Sequence, residues 1–134
     1  MTPVFADTFY YLALMNPDDR AHARAIEFSD TLIEPVVTTT WVLTEVADAL
    51  RAPSQRKGFR RLLDHIQADS TTVIVPPSQE LFERGVEFYG QRPDKEWSLT
   101  DCVSFVVMAE EGITDALTGD HHFEQAGFVA LLRP

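Results

Sequence analysis

The chain has 134 residues, of which 45 % are apolar and 10 % aromatic, so its composition excludes a disordered protein and fits one domain, 1–134, with a single core. No apolar run is long enough to span a bilayer, no basic segment precedes an apolar one at the N-terminus, and one cysteine excludes an internal disulfide, which together predict a cytoplasmic protein without a membrane segment. The net charge of −10 argues against a nucleic-acid partner unless positive charge is concentrated locally.

The first third of the chain predicts alternating strands and helices. The β-prone segment PVFAD ends at Asp7, and the helix TFYYLALMN follows until Asn16-Pro17 stops it. A second helix is predicted from Asp18-Asp19 to about Ile33. PVVTT then forms a short strand, and TTWVLTEVADALRA forms a helix that ends before Pro53.

Positive charge is concentrated in the middle of the chain. The segment RAPSQRKGFRR, residues 51–61, holds 5 of the 11 basic residues and no acid, so its local charge is +5 within a chain of net charge −10. It leads into a predicted helix whose apolar residues Phe59, Leu62, Leu63 and Ile66 are expected to be buried. Such a run is often only a solvated helix surface, but it could also be one basic face on an acidic protein.

The second half of the chain continues the alternation of strands and helices. STTVIVPP is a strand closed by two prolines, Ser78 caps a helix to about Tyr89, and GQRPDKEW is a loop. Ser98 starts a helix that Gly112 ends. ITDALTG forms a strand, a helical turn follows from Asp120, and FVALL forms the last strand. This alternation predicts an α/β fold around a mostly parallel sheet, in which ligands bind beyond the carboxyl ends of the strands.

Four acidic residues occupy positions that suit a ligand site. Asp7 and Asp120 follow predicted strands directly, although each could instead cap a helix. Asp101 is the only charge in LTDCVSFVVMA, and its spacing from Ser98 fits a capping box that leaves one carboxylate oxygen free. Glu45 lies in WVLTEVADAL, either beside apolar surface that makes an unpaired carboxylate costly or on the polar edge of the helix.

These carboxylates would repel one another if the fold brought them together at one sheet end. Without a cation, some of them would take up protons. Oxygen ligands suit Mg²⁺ or Mn²⁺, and such ions activate water for phosphodiester hydrolysis. The sequence therefore predicts a metal-dependent hydrolase acting on phosphodiesters.

At these residues the chain resembles the PIN-domain ribonucleases, and among them the VapC-type toxins of toxin–antitoxin pairs. The resemblance covers essentially the whole chain and is carried, in order, by VFADTFYYLAL, TTTWVLTEVADAL, WSLTDCVSF and LTGDHHFEQAGF. It implies a three-layer α/β/α domain with a central sheet of four or five mostly parallel strands. It also implies an RNA substrate, Mg²⁺ or Mn²⁺ as cofactor, a homodimer, and an antitoxin protein that covers helices near the pocket.

The resemblance also implies roles for the four acids. Asp7 and Asp101 are expected to bind the metal directly. Glu45 and Asp120 are expected to bind it directly, to bind it through water, or to orient the attacking water.

Neighbouring hydroxyl and basic residues complete the predicted site. Thr8, Thr100 and Thr118 could hold the carboxylates or a phosphate, although a helix-cap or strand role is the simpler explanation of each. An acidic pocket still needs cations to hold the RNA backbone on either side. The candidates are the basic residues of the predicted helix, Arg56, Lys57, Arg60 and Arg61.

The first helix offers a candidate surface for the antitoxin, together with the helix that follows it. Its aromatic and aliphatic residues could equally belong to the core: Phe9, Tyr10, Tyr11, Leu12 and Leu14.

Other functions have weaker support in the residues. An aspartyl phosphotransferase needs a second acid two residues after Asp7, where Phe9 stands, and a receiver domain needs a late lysine, whereas none follows Lys95. A zinc site needs more than His121-His122 and one thiol, and adjacent side chains on a turn are expected to point apart. His122 is expected to pack or hydrogen-bond, and His121 to be exposed or near substrate. A non-catalytic PIN-like domain that binds RNA or protein is the alternative function.

Overall fold

Five parallel strands form the central sheet of the computed structural model, which describes residues 1–134. The strand order is β3-β2-β1-β4-β5. The strands are β1 (Val4–Ala6), β2 (Val36–Thr39), β3 (Thr72–Val75), β4 (Asp115–Leu117) and β5 (Val129–Ala130). The predicted sheet of four or five mostly parallel strands is therefore confirmed, with every pairing parallel.

Seven helices connect these strands. They are α1 (Thr8–Met15), α2 (His22–Thr31), α3 (Thr40–Ala49), α4 (Arg56–Ala68), α5 (Gln79–Gln91), α6 (Leu99–Glu111) and α7 (His121–Gln125). The chain moves outward from β1 to β3, crosses back to β4, and then moves outward to β5. Because parallel crossovers are right-handed, this reversal places α1 to α4 on one face and α5 to α7 on the other, which gives the predicted three layers. No helix is both long enough and apolar enough for a membrane crossing.

The reversal of strand order between β1 and β4 creates the switch point at which open α/β sheets bind ligands. Ala6 pairs with Leu117 across these two strands. The next residues along each strand, Asp7 and Thr118, therefore leave the sheet side by side. The predicted strand ITDALTG ends at Leu117, so that Thr118 belongs to the loop at this edge.

The start of α2 differs from the prediction. The two acids expected to open this helix belong to a turn in which Asp18 N–H donates to Asn16 Oδ1 at 3.0 Å and Ala21 N–H donates to Asp19 Oδ1 at 2.8 Å. Since these side chains satisfy the backbone of the turn, the helix begins only at His22.

Helix α4 is amphipathic as predicted, with Leu62 and Ile66 buried and Phe59 and Leu63 partly buried against the core. Helix α6 is the most buried helix, and its predicted ends are confirmed: Ser98 caps it, and Gly112 ends it with a φ of 68°.

Candidate active site

The four predicted acids lie in one cleft at the carboxyl ends of β1 and β4. This acidic cleft has a volume of about 520 Å³ and is open to solvent. Its lining residues are Asp7, Thr8, Phe9, Leu12, Glu45, Glu96, Ser98, Asp101, Asp120 and His122. Glu96 is the lining acid that the sequence did not reveal, because it lies in a loop without a strand end or an apolar helix to mark it.

Asp7 is the most buried acid of the cleft, with 5 % of its surface exposed. Its backbone occupies the N-cap position of α1, but its side chain makes no capping hydrogen bond. Instead, Asp7 Oδ2 accepts a hydrogen bond of 2.8 Å from the Thr118 hydroxyl. Burial raises the pKa of Asp7 to about 7, and the nearby carboxylates of Asp101 and Glu45 add to this rise. The side chain is therefore directed into the cleft rather than to the helix backbone.

Glu45 enters the cleft from the middle of α3. Its Oε1 accepts a hydrogen bond of 2.6 Å from the Thr8 hydroxyl, which holds the carboxylate at one angle. Partial burial raises the pKa of Glu45, and Asp101 raises it further, whereas the hydrogen bond from Thr8 opposes the rise. Glu45 is therefore a partly buried carboxylate held by a hydrogen bond beside apolar neighbours, which favours the first of its two interpretations.

Asp101 forms the predicted capping box at the start of α6. Its backbone N–H donates to Ser98 Oγ at 3.0 Å, and its Oδ2 accepts from the Ser98 N–H at 3.1 Å. The residue is only 8 % exposed, and burial raises the pKa of its carboxyl despite the opposing bond from Ser98. As predicted, the capping bond uses one carboxylate oxygen, Oδ2, and leaves Oδ1 free of this bond.

Asp120 caps the short helix α7 and is linked to Asp7 through one hydroxyl. Its Oδ1 accepts from the His122 N–H at 2.9 Å, and its own N–H donates to Thr118 Oγ1 at 3.1 Å. Thr118 is fully buried and thus holds the loop after β4 against the end of β1. Two of the three predicted threonines, Thr8 and Thr118, donate directly to cleft carboxylates.

The two adjacent histidines do not diverge, and the expectation that they would is wrong. Their rings are 4.4 Å apart, and the ligand atoms of Asp120, His121 and His122 all lie within 4.8 Å of one another. Asp120 caps the first turn of α7, and both imidazoles turn toward its carboxylate, with His121 Nδ1 and His122 Nδ1 at 3.7 and 3.3 Å from Oδ1. His121 is largely exposed, as expected, whereas His122 lines the cleft.

Comparison with known proteins agrees with this geometry. The PIN domain family model matches residues 4–129. The chain belongs to the PIN domain family. It is 30 % identical over 128 residues to the 23S rRNA-specific endonuclease VapC20 of Mycobacterium tuberculosis, an alignment that covers 94 % of this chain and 95 % of the relative. The predicted resemblance to VapC-type PIN domains is therefore confirmed, and the chain is a homologue of a VapC-type endonuclease.

Solved structures show the same fold. The crystal structure of Mycobacterium tuberculosis VapC20, described as a toxin that cleaves the sarcin-ricin loop, matches with a TM-score of 0.85 and 27 % identity over 94 % of this chain and 96 % of that one. FitAcB from Neisseria gonorrhoeae has a TM-score of 0.63 and 17 % identity, covering 95 % and 94 %. VapBC2 from Rickettsia felis bound to a promoter DNA fragment has a TM-score of 0.66 and 13 % identity, covering 96 % of each chain.

The acidic cleft of this PIN domain has a donor set that fits a divalent cation. Five carboxylates line it, and no lysine or arginine does. Buried carboxylates without a positive partner either bind a proton or need a cation, and three of these acids have a raised pKa. The ligand atoms are hard oxygens, which suit Mg²⁺ or Mn²⁺.

The predicted basic residues do not lie in the acidic cleft of the PIN domain. All four are exposed on α4, and none of them lines the cleft: Arg56, Lys57, Arg60 and Arg61. Arg60 pairs with Asp64 one turn along the helix. The structure therefore does not join this basic run to the acids, and its role in binding RNA stays a prediction.

The candidate antitoxin surface on α1 belongs mostly to the core. Tyr10 and Tyr11 are buried, at 6 % and 4 % exposed, which supports the core alternative for these two residues. Leu14 is partly buried against the core, and Phe9 and Leu12, also partly buried, line the acidic cleft. The exposed apolar residues near this region lie on and after α2, where Ile26 and Ile33 are 38 % and 75 % exposed.

Proposed function

We propose that this protein is a metal-dependent endoribonuclease, the toxin of a toxin–antitoxin pair, with an rRNA as its substrate. The observation that carries the proposal is the meeting of four carboxylates from distant parts of the chain in one cleft that no cation lines. The 30 % identity to a 23S rRNA-specific endonuclease supports the choice of substrate.

Within this proposal, Asp7 and Asp101 bind Mg²⁺ or Mn²⁺ directly. Both are nearly fully buried, and both have a pKa raised by burial, so each gains from a bound cation. Glu45 and Asp120 bind the ion directly or through water. When bound, such an ion lowers the pKa of a water molecule and stabilises negative charge on the phosphate.

The residues around the ion orient the reaction. The Thr8 hydroxyl holds one oxygen of Glu45, which leaves the other oxygen to accept a hydrogen bond from the attacking water. Burial raises the pKa of Glu45 and so strengthens the carboxylate as a base. The Thr118 hydroxyl donates to Asp7 and accepts from the backbone N–H of Asp120. It thus holds beside each other two acids that follow different strands.

The proposed partners are RNA, an antitoxin and a second copy of the chain. The exposed residues Ile26 and Ile33 beside the cleft-lining helix α1 supply apolar surface for an antitoxin that covers the pocket. The cations of α4 would hold the RNA backbone outside the cleft. The proposal of a homodimer is based on the family resemblance.

A cleavage assay tests the proposed activity. Purified protein is incubated with 23S rRNA and with mixed RNA in Mg²⁺, Mn²⁺ or EDTA, beside the variants Asp101→Asn and Asp18→Asn. Asp18 is exposed and does not line the cleft, so its variant controls for the loss of one charge.

We expect cleavage with either metal, none in EDTA, and a loss of about 100-fold or more in Asp101→Asn, since even outer partners of metal ligands cost 10–100-fold. Equal cleavage by Asp101→Asn, or cleavage unaffected by EDTA, would contradict the mechanism. RNA binding without cleavage in any metal would favour the non-catalytic alternative.

A further inference from the structure

His122 brings a nitrogen atom into the acidic cleft that no hydrogen bond uses. Its Nδ1 is buried, and it is one of two buried side-chain polar atoms without a hydrogen-bond partner. The atom lies 3.3 Å from Asp120 Oδ1 and 3.4 Å from Asp101 Oδ2. A buried polar atom without a hydrogen bond is unfavourable, so a cation bound between this nitrogen and the two neighbouring carboxylate oxygens would satisfy all three groups.

The distances from His122 Nδ1 to these two oxygens suit shared ligation of one ion, since each oxygen accepts one backbone N–H and keeps a second lone pair. An octahedral site with ligands about 2.1 Å from the ion places adjacent ligand atoms roughly 3 Å apart. We propose that His122 Nδ1 is a further metal ligand, which acts with carboxylate oxygens of Asp101 and Asp120. This inference rests on the proposed function only in requiring that the acidic cleft binds a divalent ion.

The surrounding contacts hold the backbone of His122 at the edge of the cleft. Its backbone N–H donates to Asp120 Oδ1 at 2.9 Å, and the backbone N–H of Asp120 donates to Thr118 Oγ1. Phe123, the next residue, is fully buried and packs against Phe105 with ring centroids 4.9 Å apart. Because the turn is anchored at both ends, the backbone of His122 is fixed beside the cleft.

His121 has the same side chain as His122 but a different environment. Its side chain is 57 % exposed, its Nδ1 lies 3.7 Å from Asp120 Oδ1, and it does not line the cleft. The neighbouring histidine therefore provides a matched control with the same chemistry one position away.

A nitrogen ligand changes which metals the cleft prefers. Carboxylate oxygens suit Mg²⁺ and Mn²⁺ alike, whereas imidazole strengthens binding of transition metals relative to Mg²⁺. The structure thus predicts a site that binds Mn²⁺ more tightly than Mg²⁺, with the preference supplied by His122.

Pulsed electron paramagnetic resonance on the Mn²⁺-loaded protein tests this ligand directly, without using activity. The wild-type protein should show coupling of Mn²⁺ to a histidine nitrogen, which changes when the histidines are labelled with ¹⁵N. His122→Asn should lose this coupling, and His121→Asn should keep it. Circular dichroism checks that both variants are folded, and the isotope experiment on the wild type requires no variant.

Metal titration gives the second measurement. His122→Asn should weaken Mn²⁺ binding by about 10-fold or more and Mg²⁺ binding by less. The proposal is overturned if the wild type shows no histidine nitrogen coupling, if His122→Asn keeps it, or if His121→Asn loses it. RNA cleavage without this coupling would refute the ligand alone, while coupling in a protein that does not cleave RNA would refute the proposed function alone.

Discussion

Replacing Asp7 with Asn should make the metal-free protein more stable while it disables the site. Asp7 is 5 % exposed, and burial raises its pKa from the ordinary value of 3.8 to about 7. A raised pKa in the folded state means that ionising the group costs folding free energy. This cost is absent below about pH 4, grows as the pH rises, and is complete above about pH 7.

The magnitude follows from the two pKa values. One pKa unit corresponds to about 1.4 kcal/mol, so the rise of Asp7 from 3.8 to about 7 amounts to roughly 4 kcal/mol. Asn can still accept the hydrogen bond from Thr118 through its carbonyl oxygen. Imperfect pairing of the new amide group costs about 1–2 kcal/mol, which leaves an expected gain of about 2–3 kcal/mol. In a chain of this size, that gain raises the melting temperature by roughly 5–10 °C.

Thermal and urea unfolding in EDTA at several pH values measure this gain. The advantage of Asp7→Asn should be greatest near pH 8, should vanish at about pH 5, and should become a deficit of about 1 kcal/mol near pH 4, where only the cost of the amide remains. Asp18→Asn at an exposed position should show much less of this pH dependence. Mg²⁺ or Mn²⁺ should stabilise the wild type by about 3 kcal/mol at 100 times its dissociation constant and the variant far less. A variant no more stable than the wild type near pH 8, or a difference that does not depend on pH, would refute a destabilising buried charge at Asp7.

Three further predictions concern packing, RNA contact and pH. Gly119→Ala should destabilise the protein by about 1–3 kcal/mol in urea unfolding, because the new Cβ would lie 2.4 Å from Cζ of Phe9, and unchanged stability would show that the ring moves freely. Replacing both Arg60 and Arg61 with Ala should weaken RNA binding and flatten its salt dependence by about 0.7 per lost phosphate contact, and equal binding at every salt concentration would remove α4 from the RNA surface. Cleavage should fall as the pH drops through the raised pKa of Asp7, about 7, and added metal should shift this fall to lower pH; a profile that metal does not move would contradict a coordinated carboxylate.

Local signals in the sequence predicted most of the elements. Helix α6 is the best example, because both of its ends rest on contacts within a few residues: the capping box of Ser98 and Asp101, and Gly112 in the left-handed conformation. The start of α2 shows the limit of such signals. Acidic residues suit both a helix start and a turn, and at Asp18-Asp19 the turn forms.

The acids of the site were recognisable because each has a local mark, either a strand end or an apolar helix. Their hydrogen bonds were not predictable, since Thr118 and Asp7 meet only through the register of β1 against β4. Glu96 neither follows a strand nor lies in an apolar helix, and it lines the cleft only because of the path of its loop. The charge of the basic run was evident from the sequence, whereas only the structure shows that this run does not line the cleft, and its role in RNA binding stays a prediction.

The sequence by itself determined the fold class and marked four candidate carboxylates, because strand and helix periodicity and the residues at element ends act over short distances, and the resemblance of four motifs to PIN domains indicated the family. Only the tertiary structure decided the charge environment of the cleft. Burial, the approach of Asp7 to Asp101 and Glu45, and the position of His122 between Asp101 and Asp120 all depend on strands and helices that are distant in the chain. The pKa of a buried acid and the set of side chains that can bind a metal depend on this three-dimensional neighbourhood, which no local sequence pattern encodes.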